Sequence, residues 1–164
     1  MLRRAGLQAL RALLELAQDP GRWRSVNEIA AAQQLPAPML EQLLLQLRRA
    51  DLVEARRGRL GGYRLCKPAS AIPVAMVLEA VGAAIHLRAD LGSDRSAQPS
   101  SAASSLSDGE AAANAAEQRV ISGMARRLQA ALDRELASLT LEELLFDLSS
   151  WQESLGNAGG VMLG

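Results

Sequence analysis

Leu47-Arg48-Arg49-Ala50-Asp51-Leu52-Val53-Glu54-Ala55-Arg56-Arg57-Gly58-Arg59-Leu60-Gly61-Gly62-Tyr63-Arg64-Leu65 passes from a helical pattern into two short extended segments within nineteen residues. Leu52 to Arg56 and Tyr63 to Leu65 read as strands of alternating character. The six residues between them, Arg57 to Gly62, include three glycines, which supply the backbone freedom a tight reversal needs. The stretch therefore predicts a β-hairpin that carries Arg56, Arg57, Arg59 and Arg64.

Working back from the hairpin, Leu40, Leu43, Leu44 and Leu47 recur at helical spacing and predict a helix from Pro38 to about Ala50. Its other faces hold Met39, Glu41, Gln42, Gln46, Arg48 and Arg49, with Leu45 expected to be buried at the helix edge. Pro36-Ala37-Pro38 separates this helix from a shorter one that ends at Gln33, and a proline at the first helical position loses no hydrogen bond. The shorter helix opens on Ser25-Val26-Asn27-Glu28, where hydroxyl and carboxylate satisfy each other's free amides in a capping box. Before it, Leu7, Leu10, Leu13, Leu14 and Ala17 mark an amphipathic helix from Leu2 to Gln18, stopped by Asp19-Pro20-Gly21. After the hairpin, Pro73 starts a helix from Val74 to Gly82 whose apolar face closes the core. Residues 1–86 thus read as a winged helix-turn-helix, in which Tyr63 props the hairpin.

The second half has a different character. Residues 87–109 are rich in serine and read as a flexible loop. A long helix from Glu110 to Ser138 follows, with Ile121, Met124, Leu128, Leu132 and Leu136 as a stripe it cannot bury alone. Thr140-Leu141-Glu142-Glu143 forms a second capping box and starts a final helix that covers part of that stripe. Residues 110–155 make a helical arm, and 156–164 read as a disordered tail. With 49% hydrophobic residues but 2% aromatic ones, the fold class is mostly α. The formal net charge of +0 hides an asymmetry. Residues 1–67 hold twelve Arg and Lys against six Asp and Glu, and the remainder reverses those numbers. A basic half suggests a polyanionic partner. No segment reads as a membrane span, since Glu79 interrupts the longest apolar run, and the single cysteine suits a reducing cytoplasm.

These parts suit duplex DNA. A helix enters the major groove, where Gln42 can pair with adenine and Glu41 can accept from a cytosine amino group. Arg57 at the hairpin tip fits the minor groove, whose narrow walls concentrate negative potential. Arg3, Arg4, Arg48 and Arg49 suit phosphates, and Met39 and Arg59 complete the expected DNA-binding set. Two other readings are weaker. A winged helix can serve as a protein-docking module, which needs no arginine-tipped wing. An enzyme lacks support, because no acid-base pair surrounds His86 and there is no nucleophile elbow or phosphate loop.

Residues 9–17, Leu40-Glu41-Gln42-Leu43, Leu47 to Glu54, Arg57-Gly58 and Gly61 to Leu65 together resemble the Rrf2 family of winged-helix transcriptional regulators, with the match covering about residues 2–82. The resemblance implies a homodimer in which the long helix crosses its twofold mate, setting two wings and two recognition helices on a palindromic operator. It places Glu41, Gln42 and Arg57 at reading positions, and it implies a regulator, a repressor by this reading. Sensing members hold an iron-sulfur cluster through three cysteines in the loop before the long helix, and here that loop has none. The sequence therefore predicts no cofactor and no metal, and regulation would come from a small molecule, a protein partner or nothing at all. Cys66 is expected to be a small packing residue, and a lone His86 makes no metal site.

Overall fold

In the computed structural model of the chain, residues 3–87 and 108–158 are described, excepting the side chains of 108–113 and 157–158. Helix α1 spans Arg4–Ala17, α2 Val26–Gln33 and α3 Ala37–Arg49. The wing follows as β1 Val53–Arg56 and β2 Gly62–Leu65, then a 3-10 turn at Ala69–Ala71, α4 Val74–Ala80, α5 Asp108–Ser138 and α6 Leu141–Ala158. Each of the helices and strands expected from the sequence is present, with ends that coincide or differ by up to three residues. Most of the Ser-rich segment lies outside the described residues.

Local chemistry explains the boundaries. Ser25 caps α2 as a complete capping box, its hydroxyl accepting from the Glu28 amide at 3.2 Å while the Glu28 carboxylate accepts from the Ser25 amide at 2.7 Å. Helix α2 stops at Gln34, which takes a left-handed conformation with φ 52°. The Leu35 amide then returns to the Ala30 carbonyl at 2.9 Å, so the turn between α2 and α3 is Gln34-Leu35-Pro36. Pro38 is the second residue of α3, not the first as expected, and its missing amide is still one that the first turn leaves unpaired. Asp51, at φ 55°, reverses the chain out of α3, and the Leu52 amide closes that turn on the Leu47 carbonyl at 3.0 Å.

One core joins these elements. Leu13 and Leu16 from α1, Ile29 from α2, Leu40, Leu44 and Leu47 from α3, Leu52 before the wing, and Val77 and Leu78 from α4 are fully buried together. Leu141, the first residue of α6, belongs to the same core. The Val74 amide donates to the Leu139 carbonyl and the Leu141 amide to the Ile72 carbonyl, each at 2.9 Å, so the chain before α6 runs as a short rung beside Pro73. Thr140 and Glu143 complete the second capping box, with the Thr140 amide donating to the carboxylate at 2.8 Å.

The chain divides into one compact unit of residues 1–85 with 134–164 and a second of residues 86–133. This division differs from the sequence reading, in which residues 110–155 formed an arm separate from 1–86. Leu141 is why: it has no water-exposed surface and belongs to the amino-terminal core, and α6 packs against α1 and the 3-10 turn. The final helix therefore covers the winged-helix core, and Ile121, Met124 and Leu128 of α5 stay exposed. Helix α6 also continues through Ala158, past the expected start of a tail at 156, and residues 159–164 lie outside the described set.

Candidate nucleic-acid interface

Helix α3 buries Leu40, Leu43, Leu44 and Leu47 and turns Glu41, Gln42, Leu45, Gln46, Arg48 and Arg49 to solvent. Leu45 is 41% exposed, against the expectation that it would be buried, because it lies on the face opposite that stripe. Met39 is half-buried at the edge of the polar face. The helix carries no acidic residue in its first turn, while Arg48 and Arg49 complement the negative end of its dipole. Its exposed residues are thus polar near the amino terminus and basic at the end that leads to the wing.

The wing is a two-stranded antiparallel ribbon with Val53 opposite Leu65, Glu54 opposite Arg64, Ala55 opposite Tyr63 and Arg56 opposite Gly62. Paired residues share a face, and faces alternate along each strand. Val53, Ala55, Tyr63 and Leu65 therefore form the inner face, and Tyr63 packs against the core as expected. Glu54, Arg56 and Arg64 form the outer face, where Arg64 pairs with the Glu54 carboxylate. The loop from Arg57 to Gly61 closes through the Gly61 amide on the Gly58 carbonyl at 3.0 Å and the Arg56 Nη2 on the Leu60 carbonyl at 2.8 Å. Arg57 and Arg59 stand exposed on that loop.

A third segment steadies the ribbon. Arg24 exchanges both backbone hydrogen bonds with Tyr63, at 3.0 and 2.8 Å, on the free edge of β2. Gly62 is required here, since its φ is +140° and a Cβ would overlap the Arg24 carbonyl. The Arg24 guanidinium pairs with Glu15 of α1, a carboxylate that is mostly buried and also accepts from Gln33 Nε2 at 2.8 Å. On the outer face, the Trp23 ring lies 5.1 Å from the Arg56 guanidinium and 4.4 Å from that of Arg64. Sequence reading found the wing but not this support. A lone Trp and Arg after Pro20-Gly21 carry no periodic signal, so only the fold reveals their pairing with β2.

The predicted residues fall into separate groups. Glu41, Gln42, Arg48 and Arg49 share the exposed side of α3, and Arg57 and Arg59 share the wing tip. Arg3 is engaged elsewhere, donating to the Gly82 carbonyl at 3.3 Å just beyond α4, and Arg4 is exposed beside it at the start of α1. Cys66 is exposed immediately after β2, which corrects its expected packing role, and only its backbone amide is used, on the Leu52 carbonyl at 3.1 Å. Its thiol pKa is pushed up by partial burial and by the nearby Glu54 and Asp51 carboxylates. His86 is exposed. Among the described residues, no helix is long and apolar enough to cross a membrane, and no three His, Cys, Asp or Glu side chains converge as metal ligands.

Comparison with known proteins gives this geometry a family. The model of the Rrf2 family, described as iron-dependent transcriptional regulators, matches residues 2–147. A Synechocystis protein of the helix-turn-helix transcriptional regulator type is 34% identical over 149 residues, covering 90% of this chain and 89% of its own. The regulator IscR of Cereibacter sphaeroides is 49% identical over 69 residues, 42% of this chain and 44% of its own. Among solved structures, IscR of T. potens superposes with a TM-score of 0.65 at 26% identity, covering 93% of this chain and 90% of the other. CymR, the global cysteine regulator of B. subtilis, superposes with a TM-score of 0.64 at 26% identity, covering 88% and 95%. These relatives are regulators and not enzymes. The family's iron does not fit this donor set as a cluster. Iron-sulfur centres are held by several thiolates, whereas this sequence has one cysteine, and that residue follows the wing. With the family model spanning most of the chain and a helix-turn-helix carrying a wing in place, the chain belongs to the Rrf2 family of DNA-binding transcriptional regulators.

Proposed function

We infer that the protein is a cluster-free homodimeric repressor that binds an inverted-repeat operator in the cytoplasm, reading bases with Glu41 and Gln42 in the major groove and with Arg57 in the minor groove. The observation that carries this reading is the wing: an exposed Arg57-Gly58-Arg59 tip on a ribbon braced by Arg24 and Tyr63. A flat guanidinium at such a tip matches the width and potential of a narrow minor groove. Arg48, Arg49 and Arg59 are assigned to phosphates, Met39 to the edge of the reading face, and Arg3 and Arg4 to the flanking backbone. Dimerisation is supported by α5, where Val120, Ile121, Met124 and Leu128 expose between 40% and 73% of their surface along one helix. A second copy of α5 is the partner that would cover this stripe. With a single cysteine in the sequence, the reading leaves regulation to a small ligand, a protein partner or no effector at all.

Selection of bound duplexes from a random library, followed by footprinting, tests it. The protected site is expected to be an inverted repeat with half-sites about one helical turn, roughly 34 Å, apart. Arg57→Ala should weaken binding about tenfold or more, and affinity should fall steeply with salt as counterions are released. A single unpaired half-site, a salt-independent complex, or an Arg57→Ala protein that binds as tightly as wild type would overturn it.

A further inference from the structure

We propose that Trp23 is a positioning residue for DNA binding, fixing the wing tip through Arg56 so that Arg57 meets the groove in a preformed geometry. Arg56 and Arg64 lie on one face of a ribbon four residues long per strand, and two like charges so placed repel each other. Glu54 balances one of them by pairing with Arg64. The Trp23 ring, with its negative face, attracts both guanidinium groups at 5.1 and 4.4 Å. Trp23 reaches this position because Arg24 bridges Tyr63, which sets the preceding residue beside Arg64 on the outer face.

The mechanical consequence runs through Arg56. Held against the ring, its guanidinium donates to the Leu60 carbonyl at 2.8 Å and so pins the far side of the loop that carries Arg57 and Arg59. Without the ring, Arg56 is free to follow solvent or phosphate, and the Leu60 tether becomes one rotamer among several. Ordering the loop then falls to the moment of binding, when each immobilised long side chain costs affinity. Trp23 touches no base in this scheme. It acts on DNA only by way of Arg56 and the loop.

This inference rests on the reading of Arg57 as a groove contact, and the experiment separates the two. Full-length wild type, Trp23→Leu, Trp23→Phe, Arg57→Ala and the Trp23→Leu, Arg57→Ala double variant are titrated with the duplex that wild type selects, and each is melted. Trp23→Leu should weaken binding about fivefold, the scale of a cation-π pair at a partly exposed site, while Trp23→Phe restores most of the affinity. In the Arg57→Ala background, Trp23→Leu should cost less than twofold, because the contact it positions is already gone. If Arg57→Ala alone leaves affinity unchanged, the groove reading itself fails. If Arg57→Ala weakens binding but Trp23→Leu does not, or if the two losses multiply in full, Trp23 is not positioning Arg57. A fivefold loss that Phe does not rescue, accompanied by a lowered melting temperature, overturns the proposal in favour of a general packing role.

Discussion

Replacing Gly62 by Ala tests the wing's architecture where a positive φ and a close approach of a second backbone segment coincide. Gly62 sits at φ +140°, a conformation that costs an L-residue about 1–3 kcal/mol, and its new Cβ would meet backbone and not a movable side chain. Relief requires Arg24 to withdraw, which sacrifices its two backbone hydrogen bonds with Tyr63, at 3.0 and 2.8 Å. Each is worth about 0.5–1.5 kcal/mol, so strain and lost bonds together cost about 2–6 kcal/mol. Gly58 provides the internal control. It also has a positive φ, +105°, but nothing lies within 4 Å of its would-be Cβ, so Gly58→Ala should cost only the backbone strain, about 1–2 kcal/mol. Urea denaturation reads the difference. With a slope of about 2 kcal/mol per M, Gly62→Ala should lower the midpoint by about 1–3 M and Gly58→Ala by no more than about 1 M. Native-state hydrogen exchange at the Tyr63 amide adds a local readout and should accelerate only in Gly62→Ala. Equal midpoints for the two variants, or an unchanged Tyr63 amide, would refute the claim that Arg24 braces the free edge of the wing.

Four other tests probe the α2 cap, the core and the residue after the wing. The Glu28 carboxylate is held below its ordinary pKa of 4.5 mainly by the Ser25 amide, then by the Ser25 hydroxyl and the Arg22 and Arg24 charges. A lowered folded-state pKa means this contribution is present above pH 4.5 and is lost as pH falls through the folded value, so Glu28→Gln should flatten the acid limb of a stability-against-pH curve in that window. Ser25→Ala should cost about 1 kcal/mol by chemical denaturation at neutral pH, as removal of a helix cap. Leu141→Ala should cost about 2–5 kcal/mol by the same measurement, the range for a fully buried leucine, whereas a detached C-terminal arm would leave the midpoint of residues 1–85 unchanged. The raised thiol pKa of Cys66 should slow its reaction with iodoacetamide at neutral pH relative to a free cysteine peptide, and Glu54→Gln should speed it.

Local signals in the sequence proved dependable where one segment contains the whole cause. Both capping boxes, the leucine stripe of α3 and the glycine hairpin depend on residues within a few positions of each other, and all are present. What stayed hidden depends on partners far apart in the chain. Trp23 and Arg24 become part of the wing through residues some forty positions later, and Glu15 becomes a buried anchor only once Arg24 and Gln33 converge on it. Leu45 was misplaced because a leucine-rich helix offers more apolar side chains than its stripe can bury. Cys66 was misplaced because it lies just past the end of β2, where no alternation fixes which face a side chain takes. The final helix was assigned to the wrong neighbour for a related reason. Periodicity shows that Leu141 and Leu144 need burial, but not whether α5 or the amino-terminal core provides it.

The seating of Leu141 in the amino-terminal core also bears on how the protein comes into being. Every other fully buried large residue of that core lies between positions 13 and 78, and the last one arrives after some sixty further residues have been synthesised. Domains generally fold as units while the chain emerges from the ribosome. Here the core of the head is completed only when position 141 has cleared the exit, and with it the backbone bonds in which the Leu139 carbonyl accepts from Val74 and the Leu141 amide donates to Ile72. A nascent chain cut short in α5 would carry all of the candidate DNA contacts on a core that still lacks Leu141 and its backbone bonds.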